Sequence, residues 1–309
     1  MIEVSIIVPN FNHSRFLKKR IDSILNQTFQ DFEIIILDDC STDSSREIIE
    51  EYKTNPKVTN VIYNKTNSGT TFKQWKKGIE LAKGDFIWIA ESDDYASIHF
   101  IEKLLPYLIA DENVSLAYCD SVIVNEKDEL RENIRSWLPN LHNPGKIFEK
   151  SNIANGRDLC FYEFCYRNIF PNTSAILSRK SALLAKYSFI DTKMRNNGDW
   201  KFWFHVSIEG KIAYHNEELN FFRKHSYNVT SSLLTMKLEA LIFLKELLKL
   251  DLNEFERSQI YDSILKWSFN PAIWVSKKSF DHSNIRYYFK NNISVKSFSA
   301  FVKYLFKSY

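Results

Sequence analysis

The first 120 residues alternate between short, nearly continuous apolar runs and segments whose apolar residues recur at helical spacing. Runs of this kind are typical of strands buried on both faces of a sheet, and the intervening segments are typical of amphipathic helices. The alternation predicts an α/β fold with a mostly parallel central sheet and helices on both faces. The predicted strands are Val4–Val8, Glu33–Leu37, Val58–Tyr63, Phe86–Ala90 and Ser115–Cys119, and the predicted helices are Arg15–Leu25, Ser44–Tyr52, Phe72–Ala82 and Ile98–Leu108.

The pattern is less regular between residues 120 and 197 and becomes strongly helical after His225. We therefore predict two domains, an α/β domain of residues 1–225 and a helical extension of residues 226–309 that is rich in basic and aromatic residues. Further elements are predicted as a turn at Asn143–Gly145, strands at Thr173–Ser178 and Lys211–Tyr214, and helices at Asp199–Glu209, Leu233–Leu250 and Phe255–Phe269.

Composition narrows the classes of protein that the pattern allows. The 309 residues are 44% hydrophobic and 26% charged, which is typical of a folded globular chain. A net charge of +3 is too small to predict nucleic acid as a partner. The four cysteines lack the spacing of a metal site, and neither a signal peptide nor an apolar run of about 20 residues is recognisable. We expect a cytoplasmic protein.

The last part of the chain, residues 285–309, interleaves aromatic residues with lysines. Such a segment can lie on an anionic membrane surface, which here would place the protein on the inner face of the membrane. It can equally form a terminal helix that packs on the domain or on another subunit. Both interpretations stay open at this point.

Polar side chains follow three of the predicted strands directly. Asp93 and Asp94 come after the fourth strand, Asp38 and Asp39 come after the second, and Asn10 and Asn12 come after the first. The carboxyl ends of parallel strands form one edge of the sheet, where ligands of such folds bind. Carboxylates at that edge suit Mg²⁺ or Mn²⁺, although a solvated acidic turn is an equally good interpretation of Asp93 and Asp94 taken alone. Asp38 and Asp39 are not needed as helix caps, because Ser41 to Asp43 can fill that role, and this favours a ligand contact.

Five short motifs follow one another across Val4 to Asp94. They are SIIVPNFN at Ser5–Asn12, ILNQTF at Ile24–Phe29, LDDCSTD at Leu37–Asp43, Asn64 with Asn67–Gly69, and GDFIWIAESDD at Gly84–Asp94. In this order and spacing they resemble the opening of the inverting glycosyltransferases of family 2, of the type that builds bacterial polysaccharides and glycoconjugates, and these have the GT-A fold. A looser similarity continues to Asn197–Trp200 and Arg223–His225.

The resemblance implies a role for each matching position. Asp93 would bind Mn²⁺ or Mg²⁺, and His225 would either add a metal ligand or close the site over a diphosphate. A lone histidine is more often structural, and His13 is expected at the rim. Arg223 is a candidate phosphate contact, since a guanidinium can donate two parallel hydrogen bonds. The residues that would line the pocket of the nucleotide-sugar are Pro9, Asn10, Asn12, Asp38, Asp39, Asn67, Glu91 and Ser92, together with Arg223.

Three positions depart from or qualify the family pattern. Glu91 stands where aspartate is commoner, and a longer carboxylate could still reach a ribose. Cys40 stands where glycine is usual, so a positive φ in that turn would strain the backbone by about 1–2 kcal/mol. Asp199 matches the general base, but Gly198 replaces the first acid of the family's pair. Asp199 could also be the N-cap of the following helix, and the two roles are compatible.

Together these features predict a metal-dependent inverting glycosyltransferase that uses a nucleotide-diphosphate sugar, with UDP favoured, and a saccharide or lipid-linked saccharide as acceptor. A sugar-1-phosphate nucleotidyltransferase or a dinucleotide-dependent oxidoreductase would need a glycine-rich loop after the first strand, where this chain has Pro9 to Asn12. A catalytically inactive sugar-nucleotide-binding or scaffold protein of the same fold remains the alternative, because Glu91 and Gly198 depart from the pattern.

Overall fold

The structure is a computed structural model that describes residues 2–134, 150–225 and 233–269. The chain divides into two compact units, Met1–Thr230 and Ser231–Tyr309. The boundary predicted from the sequence, between residues 225 and 226, lies slightly earlier.

Strands and helices alternate through the described part of the first unit. The strands are β1 (Val4–Asn10), β2 (Phe32–Asp38), β3 (Val58–Tyr63), β4 (Phe86–Ile89), β5 (Tyr95–Ala96), β6 (Val114–Val124), β7 (Leu130–Asn133), β8 (Asn152–Asn155), β9 (Ile176–Arg179) and β10 (Lys211–Arg223). The helices are α1 (Ser14–Leu25), α2 (Ser45–Tyr52), α3 (Thr71–Leu81), α4 (Phe100–Ala110), α5 (Gly156–Leu159), α6 (Lys180–Ala185) and α7 (Gly198–Ser207).

The strands form one sheet in the order β3-β2-β1-β4-β9-β6-β10-β5, with β7 paired to β6 and β8 paired to β10. Strands β3, β2, β1 and β4 pair in parallel with one another, and β6 pairs in parallel with β10. Strand β9 runs antiparallel between β4 and β6 and so joins the two parallel parts. The α/β fold predicted from the sequence is confirmed.

Burial explains why the apolar runs became strands. Every residue of β1, β2 and β4 is buried, as continuous apolar runs require when both faces of a sheet are covered. Helix α1 instead buries one face, formed by Phe16, Leu17, Ile21 and Ile24.

Strand β1 is longer than the sequence predicts, because Pro9 does not end it. Alternate residues of β1 bond to β2 and to β4, and Ile7 accepts its bond from Ala90 on the β4 side. Pro9 therefore points its nitrogen to the β4 side, where pairing has already stopped at Ile89. No strand bond needs an N–H there, so β1 continues to Asn10, which pairs with Asp38.

Strands β6 and β10 are also longer than predicted. Both contain polar residues that interrupt the apolar pattern, and these residues pair with one another in the interior. The Tyr214 hydroxyl donates to Asp120 Oδ1 (2.7 Å), and Asn220 Nδ2 donates to Ser121 Oγ (2.9 Å). Because of this length, β10 reaches the edge of the sheet at Arg223.

The described part of the second unit contains α8 (Leu233–Leu247) and α9 (Glu254–Phe269), close to the predicted helices. Their buried residues include Phe243, Leu247 and Ile260. Among the described residues, no helix combines the length and the apolar character needed to span a bilayer. The predicted turn at 143–145 and the tail at 285–309 lie outside the described residues, so the proposed membrane contact of the tail stays a prediction.

Candidate active site

Three loops meet where β1, β4 and β10 end. The loop after β1 carries His13, the loop after β4 carries Glu91 to Asp94, and the end of β10 carries Arg223 to His225. Strands β1 and β4 are parallel neighbours, and β10 reaches the same place because Phe221 pairs with Tyr95.

A group of potential metal ligands lies at this meeting point. One ligand atom from each of His13, Asp93 and His225 lies within 4.8 Å of the others. His225 Nε2 is 3.0 Å from Asp93 Oδ2, and His13 Nδ1 is 2.8 Å from Ser92 Oγ. The structure thus brings together Asp93 and His225 as predicted. It corrects the expectation for His13, which belongs to the cluster and not to the rim.

The surroundings of the cluster act on its charges. Burial alone would raise the pKa of Asp93, but the hydrogen bond from His225 and the nearby imidazoles hold that pKa below its ordinary value. Burial lowers the pKa of His13 below its ordinary value. A carboxylate and two imidazoles are side chains that bind divalent transition metals.

Asp94 has a different role from Asp93. It is 1% exposed, and Asn172 Nδ2 and Ser174 Oγ donate to its Oδ2 at 2.8 and 2.7 Å. The Arg223 backbone N–H donates to its other oxygen at 2.9 Å. Burial, followed by the charge of Asp93, raises the pKa of Asp94 to about 6. Asp94 therefore holds the turn in place from within the protein.

Glu91 turns toward helix α3. Trp75 Nε1 donates to its Oε1 at 2.8 Å, and the Thr71 hydroxyl lies 3.4 Å from both of its oxygens. Burial raises the pKa of Glu91 to about 8, and the charge of Asp93 adds to this effect. The ribose contact implied by the resemblance stays a prediction.

Arg20 is a part of this site that the sequence analysis missed. It is fully buried, its Nε donates to the Glu91 carbonyl at 3.0 Å, and it lies over the Trp88 ring. Its other two nitrogens have no hydrogen-bond partner among the residues that the structure describes. Its charge therefore serves mainly to offset the buried acids of the turn. In the sequence, Arg20 is recognisable only as an arginine on the otherwise apolar face of α1.

Arg223 is buried under the same turn. Its Nε donates to the Asp93 carbonyl at 2.7 Å, and its Nη1 donates to the Asn125 carbonyl at 2.9 Å and to Asp128 Oδ1 at 2.6 Å. The guanidinium also stacks over Phe16 at 4.6 Å. These contacts make Arg223 a positioning residue for the turn, and its predicted phosphate contact stays a prediction.

The two aspartates after β2 are held by the neighbouring loops. Asp38 is fully buried and accepts hydrogen bonds from Asn10 Nδ2 (3.0 Å) and Arg46 Nε (3.2 Å). Asp39 accepts from Asn64 Nδ2 (2.6 Å) and Gln74 Nε2 (2.9 Å). Both carboxylates therefore organise the loops around this edge of the sheet.

Smaller groups complete this side of the site. Asn67 Nδ2 donates to the Asp39 carbonyl, and Asn12 Oδ1 accepts from the Thr42 N–H. Asn10, which follows Pro9 at the end of β1, is 2% exposed, and within the described part of the chain its Oδ1 has no hydrogen-bond partner. Buried polar atoms are nearly always paired, so an orphan acceptor beside Asp38 indicates a place for a ligand donor.

Cys40 has a φ of 64°, so the positive φ considered from the sequence is confirmed. Its Sγ lies 3.6 Å from the Lys65 carbonyl. A left-handed conformation strains a residue with a Cβ by about 1–2 kcal/mol, and the turn keeps this strain next to Asp39.

Asp199 is the second residue of α7, so the alternative that it is the N-cap is wrong, and Asn197 has that position. Asn168 Nδ2 donates to its Oδ2 at 2.9 Å, and the Trp200 N–H donates to its Oδ1 at 2.7 Å.

Packing at Gly198 links α7, through α3, to the loop of Glu91 to Asp94. A Cβ built on Gly198 would lie 2.4 Å from the Phe72 ring, so the acid found here in the family pattern would require this ring to move. Phe72 packs edge-on against Trp75, which in turn donates to Glu91. Asp199 is thus linked to the Glu91–Asp94 loop through α3.

Comparison with known proteins agrees with this architecture. The model of the family described as "Glycosyl transferase family 2" matches residues 5–167, more than half of the chain. An uncharacterized glycosyltransferase of Haemophilus influenzae is 28% identical over 229 residues, which cover 74% of this chain and 67% of the relative.

Two solved structures share the fold. S. aureus TarS 1–349 in complex with UDP-GlcNAc has a TM-score of 0.64 at 17% identity, covering 97% of this chain and 79% of the other. Mannosyltransferase PcManGT from Pyrobaculum calidifontis in complex with GDP-Man and Mn²⁺ has a TM-score of 0.57 at 11% identity, with coverages of 97% and 83%. Since the family model matches more than half of the chain, and the fold is that of GT-A structures, the chain belongs to glycosyl transferase family 2.

Proposed function

We propose that this chain transfers a sugar, with inversion, from a UDP-type nucleotide-diphosphate sugar to the hydroxyl of a saccharide or lipid-linked saccharide, in the synthesis of a bacterial cell-surface polysaccharide or glycoconjugate. The observation that carries the proposal is the cluster of His13, Asp93 and His225 at the sheet edge that also bears Asp38 and Asp39. The family and the UDP-GlcNAc complex of TarS support a nucleotide-sugar as the donor.

The residues of the cluster fit a divalent cation. Ligands at about 2.1 Å from one octahedral ion lie about 3 Å apart when they are adjacent, and His225 Nε2 and Asp93 Oδ2 are 3.0 Å apart. Asp93 and His225 would hold Mn²⁺ or Mg²⁺, and Mn²⁺ is present with GDP-Man in PcManGT. A bound cation would offset the negative charge that grows on the diphosphate leaving group.

The chain's own residues supply the remaining functions of the donor pocket. Asp94, Arg20 and Arg223 hold the turn that presents Asp93. Asn10 offers its unpaired Oδ1 to a donor group of the nucleotide, and Asp38 or Asp39 accepts from the base or ribose. Pro9, Asn12, Asn67, Glu91 and Ser92 complete the walls of the pocket.

Asp199 is the general base of the proposed reaction. The acceptor hydroxyl must lose its proton as it attacks, and a positioned carboxylate at the start of α7 can accept that proton. Asn168 keeps the carboxylate oriented through its hydrogen bond to Oδ2.

The proposal is tested by thermal unfolding of the full chain with a panel of nucleotide-sugars, with and without Mn²⁺. We expect a UDP-sugar to stabilise the protein only when Mn²⁺ is present, by about 2.7 kcal/mol at 100 times its dissociation constant. Asp93→Asn should abolish this effect, whereas Asp85→Asn, at an exposed aspartate, should leave it unchanged.

Release of nucleoside diphosphate from the same donor separates the two candidate functions. Slow Mn²⁺-dependent release indicates a transferase, whereas tight binding without release would favour the inactive sugar-nucleotide-binding protein. Stabilisation that does not depend on Mn²⁺ or on Asp93 would refute the proposed metal-assisted transfer.

A further inference from the structure

His13 has no role in the family pattern, yet its position beside the proposed cation is well defined. The residue follows Asn12, whose φ of 56° turns the chain sharply after β1. The turn places the His13 ring edge-on to the His225 ring, with centroids 5.4 Å apart. Phe16 packs against His225 from another side at 5.1 Å.

The hydrogen bond of His13 determines which of its nitrogens can bind an ion. Nδ1 lies 2.8 Å from Ser92 Oγ, and Ser92 is 1% exposed, so this contact is made inside the protein. In the tautomer in which Nδ1–H donates to Ser92 Oγ, the ring presents its Nε2 lone pair, which is the usual arrangement of a metal-binding histidine and its supporting hydrogen bond.

The distances allow a single ion to be shared by three residues. Donor atoms around one octahedral ion at about 2.1 Å lie about 3 Å apart when adjacent and about 4.2 Å apart when opposite. One possible ligand atom of each of the three residues lies within 4.8 Å of the others, so only a small closure of the rings is needed.

We propose that His13 is the third protein ligand of this cation site and that two imidazoles make the site select Mn²⁺ over Mg²⁺. Mg²⁺ prefers oxygen ligands and retains its waters, whereas imidazole favours the transition metals. Three protein ligands leave the remaining positions of the ion for diphosphate oxygens and water. The inference rests on the proposed function only for the diphosphate oxygens.

The experiment uses the full chain and Mn²⁺ alone, without donor or acceptor. Loss of the EPR signal of free Mn²⁺ measures the dissociation constant of Mn²⁺, and displacement of bound Mn²⁺ by added Mg²⁺ measures that of Mg²⁺. Pulsed EPR detects the imidazole nitrogens coupled to the bound Mn²⁺. The variants are His13→Leu, which removes the ligand, and His13→Gln, which can retain the hydrogen bond to Ser92. The control is His99→Leu, since His99 is an exposed histidine outside the cluster.

We expect two coupled imidazoles in the unmodified chain and one in His13→Gln. The Mn²⁺ dissociation constant should rise at least tenfold in His13→Leu, while that of Mg²⁺ changes less than about threefold. His99→Leu should match the unmodified chain. If circular dichroism shows that His13→Leu does not fold, the number of imidazole nitrogens coupled to Mn²⁺ in His13→Gln decides whether the inference holds.

An unchanged nitrogen count and dissociation constant in the His13 variants would overturn the inference, as would failure of the unmodified chain to bind Mn²⁺. Mn²⁺ binding that depends on His13 supports it even if no UDP-sugar binds, and that result would count against the proposed donor alone.

Discussion

Asp93 and Asp94 are adjacent in the chain, but their carboxyl groups have different surroundings. Asp94 accepts three hydrogen bonds from within the protein, whereas Asp93 contacts His225 in the ligand cluster. Asp94 is 1% exposed and its carboxylate is enclosed by these donors, whereas 16% of the Asp93 side chain is exposed, so the two neighbours divide structural support and metal binding between them. The sequence motif alone does not distinguish these roles.

The strain at Cys40 can be measured by substitution. Cys40→Gly should raise the free energy of unfolding by up to about 1 kcal/mol, because relief of the left-handed strain exceeds the entropy gained by the unfolded chain. Cys40→Val should lower it by at least about 1 kcal/mol, since a β-branched residue tolerates this φ poorly. Urea unfolding provides the measurement. Cys40→Ala, which keeps the strain, is the control, and a Gly variant no more stable than this Ala variant would contradict the prediction.

Asp199 can be tested separately from donor binding. Asp199→Asn should lower the rate of nucleoside diphosphate release by about 10²–10⁴-fold, because an amide cannot accept the proton. The dissociation constant of the donor should change less than about threefold. Asn168→Ala should have a smaller effect on the rate, since it loosens the carboxylate without removing it. An Asn variant that releases diphosphate at the unmodified rate would exclude Asp199 as the base.

At the scale of elements, helix α7 combines a functional end with a buried histidine. Asp199 lies in its first turn, and His205, 4% exposed, lies in its last turn and stacks on Phe189 with ring centroids 3.6 Å apart. Burial, assisted by the positive charges of Lys201 and Lys186, lowers the pKa of His205 to about 3. The helix therefore holds this imidazole in its neutral form.

This neutral histidine predicts a dependence of stability on pH. In the unfolded chain His205 is protonated with a pKa near 6.5. Its contribution to the free energy of unfolding is therefore fully present above pH 6.5 and is lost as the pH falls toward 3. At pH 5 the loss from this group is about 2 kcal/mol. His205→Phe retains the stacking but cannot titrate. Between pH 7.5 and pH 5 its free energy of unfolding should therefore fall by about 2 kcal/mol less than that of the unmodified chain. The same substitution at exposed His99 is the control, and parallel pH profiles for His205→Phe and the unmodified chain would contradict the assignment.

At the scale of the whole α/β unit, the site depends on contacts between distant parts of the chain. Asp93 and His225 are 132 residues apart, and they meet because β10 extends to the edge of the sheet next to the β4 loop. Arg223 holds this meeting point, since its guanidinium contacts the Asp93 carbonyl and the turn at Asn125 to Asp128.

Removal of the Arg223 guanidinium should therefore affect both stability and binding. Arg223→Leu leaves buried acceptors unpaired and should lower the free energy of unfolding by about 3 kcal/mol. It should also weaken Mn²⁺ binding about tenfold, because the turn that presents Asp93 loses its support. Arg131→Leu, at an exposed arginine near Glu129, should change stability by less than about 0.5 kcal/mol. Similar effects of the two substitutions would show that Arg223 is not a positioning residue.

The sequence by itself determined the α/β architecture, the strands β1 to β4 and the identity of the loop residues after them. These features follow from local patterns, because a strand buried on both faces must be apolar throughout and a helix must repeat its apolar positions. Cys40 belongs here too, since its place in the motif was sufficient to raise the question of a positive φ.

Only the tertiary structure decided the lengths of β6 and β10, the antiparallel position of β9 and the membership of His13 and Arg20 in the site. Buried polar residues such as Asp120 and Asn220 are stable only because a partner on another strand satisfies them, and a linear pattern does not contain that partner. For the same reason His13 became a candidate ligand only when β10 brought His225 beside it. Pairing between distant segments depends on strand register, which is determined by the packed sheet as a whole.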